Sequence, residues 1–106
     1  MLDAALMTEP HATADLPLRD QLVEAYGDDE LLFLDPPSLD VAIVGIAQRI
    51  NFGPVVVYDR DKLVAAFAED GMSLEEADEW VSFNVEGAYV GERTPVILHS
   101  VAQLVR

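Results

Sequence analysis

Two aspartates, Asp35 and Asp59, each follow a short apolar run and are the side chains in this sequence best placed to bind a metal ion. If both runs are parallel strands, their carboxyl ends share one edge of a sheet, where open α/β sheets bind ligands. A carboxylate pair at that edge could hold Mg²⁺. Helix capping explains the same residues, because an aspartate before a helix accepts hydrogen bonds from the first backbone amides. The sequence therefore favours capping over a metal site and predicts no cofactor.

Other catalytic chemistries have little support in the sequence. His11 and His99 are the only histidines, one in the N-terminal segment and one near the end of a predicted strand, whereas zinc sites need three or four ligands. The absence of cysteine excludes disulfides, thiolate metal sites and cysteine nucleophiles. No glycine-rich phosphate loop is present, and no serine has a nucleophile-elbow context. The serines considered are Ser38, Ser73, Ser82 and Ser100.

The segment from residue 84 to residue 94 gathers polar and aromatic side chains around Gly87 and Gly91, as a binding loop does. A structural role is also open: the glycines relieve backbone strain, Tyr89 packs on the core, and Asn84 or Thr94 bonds to the loop backbone. The two roles are compatible. The candidate binding residues in this loop are Asn84, Glu86, Tyr89, Glu92 and Thr94.

The charge of the chain restricts its partners. Among 106 residues, 20 are acidic and 6 basic, which gives a formal charge of −14. Direct binding to nucleic acid is not expected, because phosphates must be neutralised by lysine and arginine, and here these are scattered. The acidity is open to three readings: solubility, a source with high salt or high GC content, or a surface for a basic partner, including a mimic of nucleic-acid charge.

The most acidic surface is predicted on a helix that begins after Ser73. Ser73 and Glu76 have the spacing of a capping box, in which each side chain bonds to the other residue's amide. Apolar residues at spacings of three and four form one buried stripe, namely Leu74, Ala77, Val81, Val85 and Ala88, widened by Trp80 and Phe83. The opposite face carries Glu75, Glu76, Asp78, Glu79 and Glu86. Together with residues of the 84–94 loop, this face is the predicted partner-binding surface.

Three strands are predicted. Residues 53–59 form the central one, because the run before the acidic exit at Asp59 has no polar alternation and therefore lies mid-sheet or is covered on both faces. Residues 31–34 predict a second buried strand. Residues 94–99 predict a third, which Pro95 restricts to a sheet edge or to its own start.

The segment 39–50 is predicted as a helix, although residues 41–47 are β-branched enough to form a strand and periodicity cannot decide. The Asn51-Phe52-Gly53 sequence that follows favours the helix, since it resembles a helix stop. With a helix here, the strand at 31–34, this helix and the central strand form a right-handed parallel crossover.

Two more helices complete the predicted fold. One covers residues 17–26. The other begins after Asp59, buries Leu63, Val64 and Phe67, and ends at Gly71. The fold class is α/β (or α+β), with a small three-stranded sheet packed by three to four helices in a single layer on the main face. Residues 1–14 are expected to be a flexible arm and residues 15–106 a single domain.

The sequence contains no stretch of the roughly 20 apolar residues that a bilayer span needs, and its first residues lack the positive start of a signal peptide. A cytoplasmic protein is therefore expected, with no membrane partner.

The segment Phe83-Asn84-Val85-Glu86-Gly87-Ala88-Tyr89-Val90-Gly91-Glu92-Arg93-Thr94-Pro95 carries a resemblance. It resembles the ending of small uncharacterised acidic proteins of phages and prophages, which read Phe or Tyr, Asn, two residues, Gly-Ala, Tyr or Trp, Val-Gly-Glu, one residue, Thr-Pro. The similarity extends back to about residue 31. The chain departs from the group at Pro36-Pro37, where a glycine-containing turn is expected. The resemblance implies a phage or mobile-element context and no particular chemistry.

These observations predict a non-enzymatic protein-binding or regulatory module whose acidic surface engages a basic partner protein. The alternative is a small ligand- or metal-binding domain or enzyme that uses Asp35, Asp59 and the 84–94 loop. The oligomeric state stays open, with a homodimer among the options.

Overall fold

The structure of the protein, a computed structural model, describes residues 16–27 and 31–104. The chain divides into two compact units, Met1–Glu30 and Leu31–Arg106. In the first unit, helix α1 spans Leu18–Tyr26, close to the predicted 17–26, and Gly27 ends it with a positive φ of 56°. The predicted arm over residues 1–14 lies outside the described residues.

The second unit is built on a three-stranded sheet in the order β1-β2-β3. The strands are β1 (Ile43–Arg49), β2 (Phe52–Asp59) and β3 (Val96–Leu98). Strand β2 pairs antiparallel with β1 and parallel with β3, so the sheet is mixed. The predicted central strand is confirmed, since β2 lies mid-sheet and both Val56 and Tyr58 are fully buried.

The predicted helix over residues 39–50 is wrong. A 3-10 helix spans Pro37–Ala42, and the chain then enters β1. A two-residue turn joins β1 to β2, in which Asn51 has a φ of 71°. Asparagine tolerates this left-handed conformation, so the sequence taken for a helix stop is a hairpin turn. The predicted parallel crossover from residues 31–34 to the central strand fails with that helix.

The predicted strand over residues 31–34 is also wrong, because this segment forms no regular secondary structure. Its backbone bonds to a side chain instead: the N–H of Leu34 donates to the hydroxyl of Tyr58 at 2.8 Å. Leu31, Phe33 and Leu34 still pack against the core. Asp35 consequently does not follow a strand.

Two helices connect β2 to β3, and local signals start both. Helix α2 (Arg60–Glu69) is capped by Asp59, whose carboxylate accepts a hydrogen bond from the N–H of Lys62 at 3.0 Å. Helix α3 (Leu74–Trp80) begins with the predicted capping box. The N–H of Ser73 donates to Glu76 Oε1 at 2.9 Å, and the N–H of Glu76 donates to Ser73 Oγ at 3.1 Å.

Helix α3 continues into a π-helical turn over Val81–Val85. The N–H of Glu86 donates to the carbonyl of Val81 at 2.8 Å, five residues back. In an α-helix, residues four apart drift by about 40° around the axis. A π turn holds more residues, so it offsets part of this drift where it follows an α-helix. After the turn comes β3, followed by the short helix α4 (Val101–Leu104).

The core lies on one face of the sheet, where β2, the 3-10 helix, α2 and the α3–π segment meet. Its fully or nearly buried members are Leu39, Ala42, Val56, Tyr58, Leu63 and Val81. The fold prediction of a small three-stranded sheet packed by a layer of helices is thereby confirmed, in its α+β form.

Strand β1 is an edge strand. Among the described residues, no strand pairs with its outer side. Its side chains are mainly apolar, and Val44 is 45% exposed. The strand contains no proline and only one charged residue, Arg49 at its end.

Candidate functional site

A hydrogen-bonded cluster around Arg60 joins the start of α2 to α3 and to the end of β3. Arg60 Nη1 lies 2.7 Å from Asp78 Oδ1, and Arg60 Nε lies 2.9 Å from Glu86 Oε1. Arg60 Nη2 donates to Ser82 Oγ at 2.7 Å and to the carbonyl of Asp78 at 3.1 Å. His99 Nε2 lies 2.6 Å from Glu86 Oε2. We call Arg60, Asp78, Ser82, Glu86 and His99 the Arg60 cluster.

The charged groups of the Arg60 cluster stabilise one another. Burial acts to raise the pKa of Glu86, but the hydrogen bonds and charges of Arg60 and His99 outweigh it and hold that pKa below its ordinary value. The hydrogen bonds to Asp78 and then Glu86 raise the pKa of Arg60. The side chain of Arg60 is only 13% exposed, so this charge is largely withdrawn from solvent. Two of the predicted partner-binding carboxylates, Asp78 and Glu86, are therefore already paired within the molecule.

Spacing by four explains which side of α3 each residue faces. Ala77, Val81 and Val85 are spaced by four and face the core, where Ala77 and Val81 are fully buried and Val85 packs against the buried residues. Asp78, Ser82 and Glu86 form a second line that meets Arg60. A third line consists of Glu75, Glu79 and Phe83, and all three of its residues are exposed. We call this third line the outer stripe.

The outer stripe combines carboxylates with an apolar ring. Among the described residues, Glu75 and Glu79 make no hydrogen bond or ion pair, whereas Glu76 is engaged in the capping box. Phe83 is 79% exposed. The prediction that Phe83 widens the buried stripe is therefore wrong, and Leu74 and Ala88 are exposed as well. Of the residues predicted to form the buried stripe, only Ala77 and Val81 are buried, and Val85 is partly buried.

Trp80 is partly packed against α2 and partly exposed to solvent. It is 44% exposed, and its ring packs against Phe67 of α2 with a centroid distance of 6.3 Å and an interplanar angle of 54°. The remaining part of the ring faces solvent beside α3. Glu76 and Asn84 lie four residues before and four residues after Trp80, and Asn84 is exposed.

The 84–94 loop is held by Thr94. The hydroxyl of Thr94 donates to the carbonyl of Gly91 at 2.6 Å and accepts from the N–H of Val90 at 2.8 Å. Tyr89 does not pack on the core, since it is 76% exposed. The loop thus has a structural anchor at Thr94, whereas Tyr89 is exposed to solvent, and a binding role for the loop stays a prediction.

Two pockets border this loop. One of about 310 Å³ lies between residues 32–35 and residues 85–97, with Phe33, Val85 and Ile97 in its apolar wall and Asp35 at its border. The other, of about 260 Å³, lies on the opposite face of the sheet and includes Glu92 among its lining residues.

Arg93 fixes the loop to β2 near the second pocket. Its Nη1 donates to the carbonyl of Pro54 at 3.1 Å. The guanidinium lies so close to Gly53 that a Cβ at residue 53 would collide with it. Nearby, the guanidinium of Arg49 stacks over the ring of Phe52 at 4.2 Å.

The strand-end geometry on which the predicted pair of metal ligands rested is not formed, because only Asp59 ends a strand. Asp59 is buried and caps α2, whereas Asp35 belongs to an irregular segment at the border of the larger pocket. Within residues 16–27 and 31–104, no group of three or more histidine or acidic side chains is arranged to hold a metal ion.

Four residues were not identified from the sequence as members of this site: Arg60, Ser82, Phe83 and His99. One signal was available for Arg60. An arginine in the first turn of a helix faces the positive end of the helix dipole, so it needs nearby carboxylates to be stable there. Asp78, Ser82 and Glu86 follow one another at intervals of four residues, and the two carboxylates among them were the matching signal. No local pattern in the sequence indicates the π turn or the exposure of Phe83 within it.

Comparison with protein-family models, with curated proteins and with solved structures gives no match for this chain. In the described parts of the chain, no helix is long and apolar enough to cross a membrane. The relation to phage proteins stays a prediction.

Proposed function

We propose that this protein is a non-enzymatic protein-binding module that engages a basic partner protein through the outer stripe of α3. One observation supports it above all: Glu75 and Glu79, which are not used within the described fold, stand in line with Phe83, which is 79% exposed. A small domain gains no stability from an exposed phenylalanine beside unpaired carboxylates. Such a combination is typical of an interface, where an aromatic anchor is surrounded by charged residues.

The chemistry of the partner follows from this surface. Lysine or arginine side chains would pair with Glu75 and Glu79, and an arginine could also stack on the ring of Phe83. The net charge of −14 would attract a basic surface from a distance and raise the association rate. Trp80 and Tyr89, both exposed, are further aromatic side chains that a partner could contact.

The Arg60 cluster supports the proposal indirectly. Because Asp78 and Glu86 are both paired with Arg60, and Glu86 is also hydrogen-bonded to His99, they contribute less to a partner surface than the sequence suggested. The side chain of Asp78 remains 58% exposed and can still accept hydrogen bonds at the border of the surface. The cluster also fixes α3 against α2, so that the outer stripe is rigid before the partner binds.

The wider context belongs to the same proposal. We place the protein in the cytoplasm, in a phage-derived role suggested by the residue 83–95 segment, where a basic target could be a nucleic-acid-binding protein and the acidic surface a charge mimic. If the charge served only solubility or adaptation to salt, substitutions in the outer stripe would have no partner-dependent effect.

The test starts with recovery of the partner by pulldown on the tagged full chain. Affinity and association rate are then measured at two salt concentrations for the wild type and for Glu75→Lys with Glu79→Lys. We expect the charge reversal to slow association about tenfold or more at low salt and the wild-type affinity to fall as salt rises. Phe83→Ser should accelerate dissociation instead, because it removes an apolar anchor.

A matched control uses the same charge change at the same spacing on another helix. Asp20 and Glu24 are exposed on α1 and lie four residues apart, so Asp20→Lys with Glu24→Lys alters the net charge equally. This control should keep most of the affinity. Unchanged, salt-insensitive binding by the outer-stripe reversal would rule out the proposed surface. A stability that climbs steadily with salt, without any binding effect, would indicate adaptation to salt.

A further inference from the structure

We propose that the pocket of about 310 Å³ beside the 84–94 loop binds a small amphiphilic cation, an aliphatic body that ends in an ammonium group. This site is separate from the outer stripe and does not depend on the protein partner proposed above. Its volume lies at the lower end of the range of about 300–1,000 Å³ that is usual for ligand pockets, so a small ligand fits it best.

The wall of the pocket favours an aliphatic body. It includes Phe33, Val85, Ala88 and Ile97, and Pro95 adds a further apolar surface. An aliphatic chain that leaves water for such a wall is stabilised in proportion to the area it buries.

The pocket is held in place on both sides. The N–H of Leu34 donates to the buried hydroxyl of Tyr58, which fixes the segment that carries Phe33. On the other side, Thr94 closes its loop through bonds to Val90 and Gly91. A wall fixed in this way needs little reorganisation on binding, which reduces the entropic cost.

The carboxylate of Asp35 favours a cationic head group on the ligand. Asp35 is the only ionisable side chain among the residues that line the pocket. The hydroxyl of Thr94, the other polar side chain there, is already engaged as donor and as acceptor. A carboxylate on a chain of net charge −14 attracts a cation and repels an anion. An ammonium group that reaches Asp35 while its aliphatic body lies against Val85 and Ile97 satisfies both requirements.

Two sources could supply this chemistry, a free organic amine or the lysine side chain of a protein. The first probes are therefore hexylammonium, hexan-1-ol and hexanoate at neutral pH, which differ only in the head group. N-acetyl-lysine amide is the fourth probe, since its backbone amides must stay outside the pocket. Binding is followed by the methyl NMR signals of Val85 and Ile97 on the full chain.

We expect hexylammonium to bind about fivefold more tightly than the alcohol, as an exposed ion pair allows, and hexanoate to bind most weakly. Asp35→Asn should lower the affinity for hexylammonium to that for the alcohol and leave the affinity for the alcohol unchanged. Asp61→Asn is the matched control, because it removes an exposed carboxylate from α2 and should change neither affinity. Binding of the lysine amide as well as hexylammonium would identify a protein side chain as a source, and binding of hexylammonium alone a free amine.

Ala88→Leu narrows the pocket and should abolish binding of all the probes, while an unchanged melting temperature verifies the fold. Equal affinities for the three hexyl probes, or no change in the methyl signals of Val85 and Ile97 with any of them, would overturn the proposal. The outer-stripe variant Glu75→Lys with Glu79→Lys should still bind hexylammonium. A loss of partner binding and a loss of probe binding are therefore separate results.

Discussion

Single polar side chains connect segments that are far apart in this sequence. The buried hydroxyl of Tyr58 accepts the N–H of Leu34, 24 residues away, and Arg60 bonds to Glu86 across 26 residues. Neither bond belongs to a helix or a sheet ladder. The irregular segment around Leu34 is thus fixed by a side chain at a point where its own backbone makes no strand.

The Tyr58 bond gives the first prediction at this scale. Tyr58→Phe should destabilise the fold by about 1 to 3 kcal/mol, because the N–H of Leu34 loses its partner near the core. The free energy of unfolding is measured by urea denaturation. Tyr89→Phe, at a residue that is 76% exposed, is the control and should be neutral. Equal midpoints for wild type and Tyr58→Phe would show that water replaces the hydroxyl at no cost.

Local signals in the sequence located α2 and α3, because each helix begins with a cap formed by residues three apart. Asp59 bonds to the N–H of Lys62, and Ser73 and Glu76 bond to each other as their spacing predicted. Strand β1 and the segment 31–34 were assigned wrongly for a common reason. Both are short apolar runs whose structure depends on pairing with β2 or on Tyr58, and local patterns do not contain that information.

The capping box gives a prediction at the element scale. Ser73→Ala should cost about 1 kcal/mol of stability and leave the fold intact, because the N–H of Glu76 loses its acceptor. Glu76→Ala should have a similar effect through the N–H of Ser73. The midpoint of chemical denaturation is the measurement, with Glu75→Ala as the control outside the box. Two silent variants would mean that these bonds add no stability in solution.

Across the whole second unit, the Arg60 cluster connects α2 to α3 through one guanidinium and reaches the residue after β3 through the carboxylate of Glu86. Residue types alone were enough to predict an acidic face on α3, and Glu75 and Glu79 are indeed exposed there. Which carboxylates are paired within the fold could not be predicted, because it depends on where Arg60 of α2 meets α3 in the folded chain. The distinction between the outer stripe and the Arg60 cluster is therefore a property of the folded chain.

The Arg60 cluster gives a pH prediction. The folded-state pKa of Glu86 lies below its ordinary value of 4.5, so its contribution is fully present above that pH and is lost as the pH falls below it. Glu86→Gln should therefore be less stable than the wild type at pH 7, and the two free energies of unfolding should converge as the pH falls below about 4.5. A difference that stays constant over this range would contradict the pairing with Arg60 and His99.

No strand within residues 16–27 and 31–104 pairs with the outer side of β1, and this affects how the protein behaves in solution. A mainly apolar edge strand can pair with the same strand of another molecule, and here electrostatic repulsion between copies opposes that event. The sequence pI is about 4.1, so mild acidification removes the repulsion. A polycation that neutralises the surface at pH 7 acts in the same way. Solutions of this protein should accordingly turn turbid when a basic polymer is added up to charge equivalence and clear again when the polymer is in excess, since the particles are then recharged.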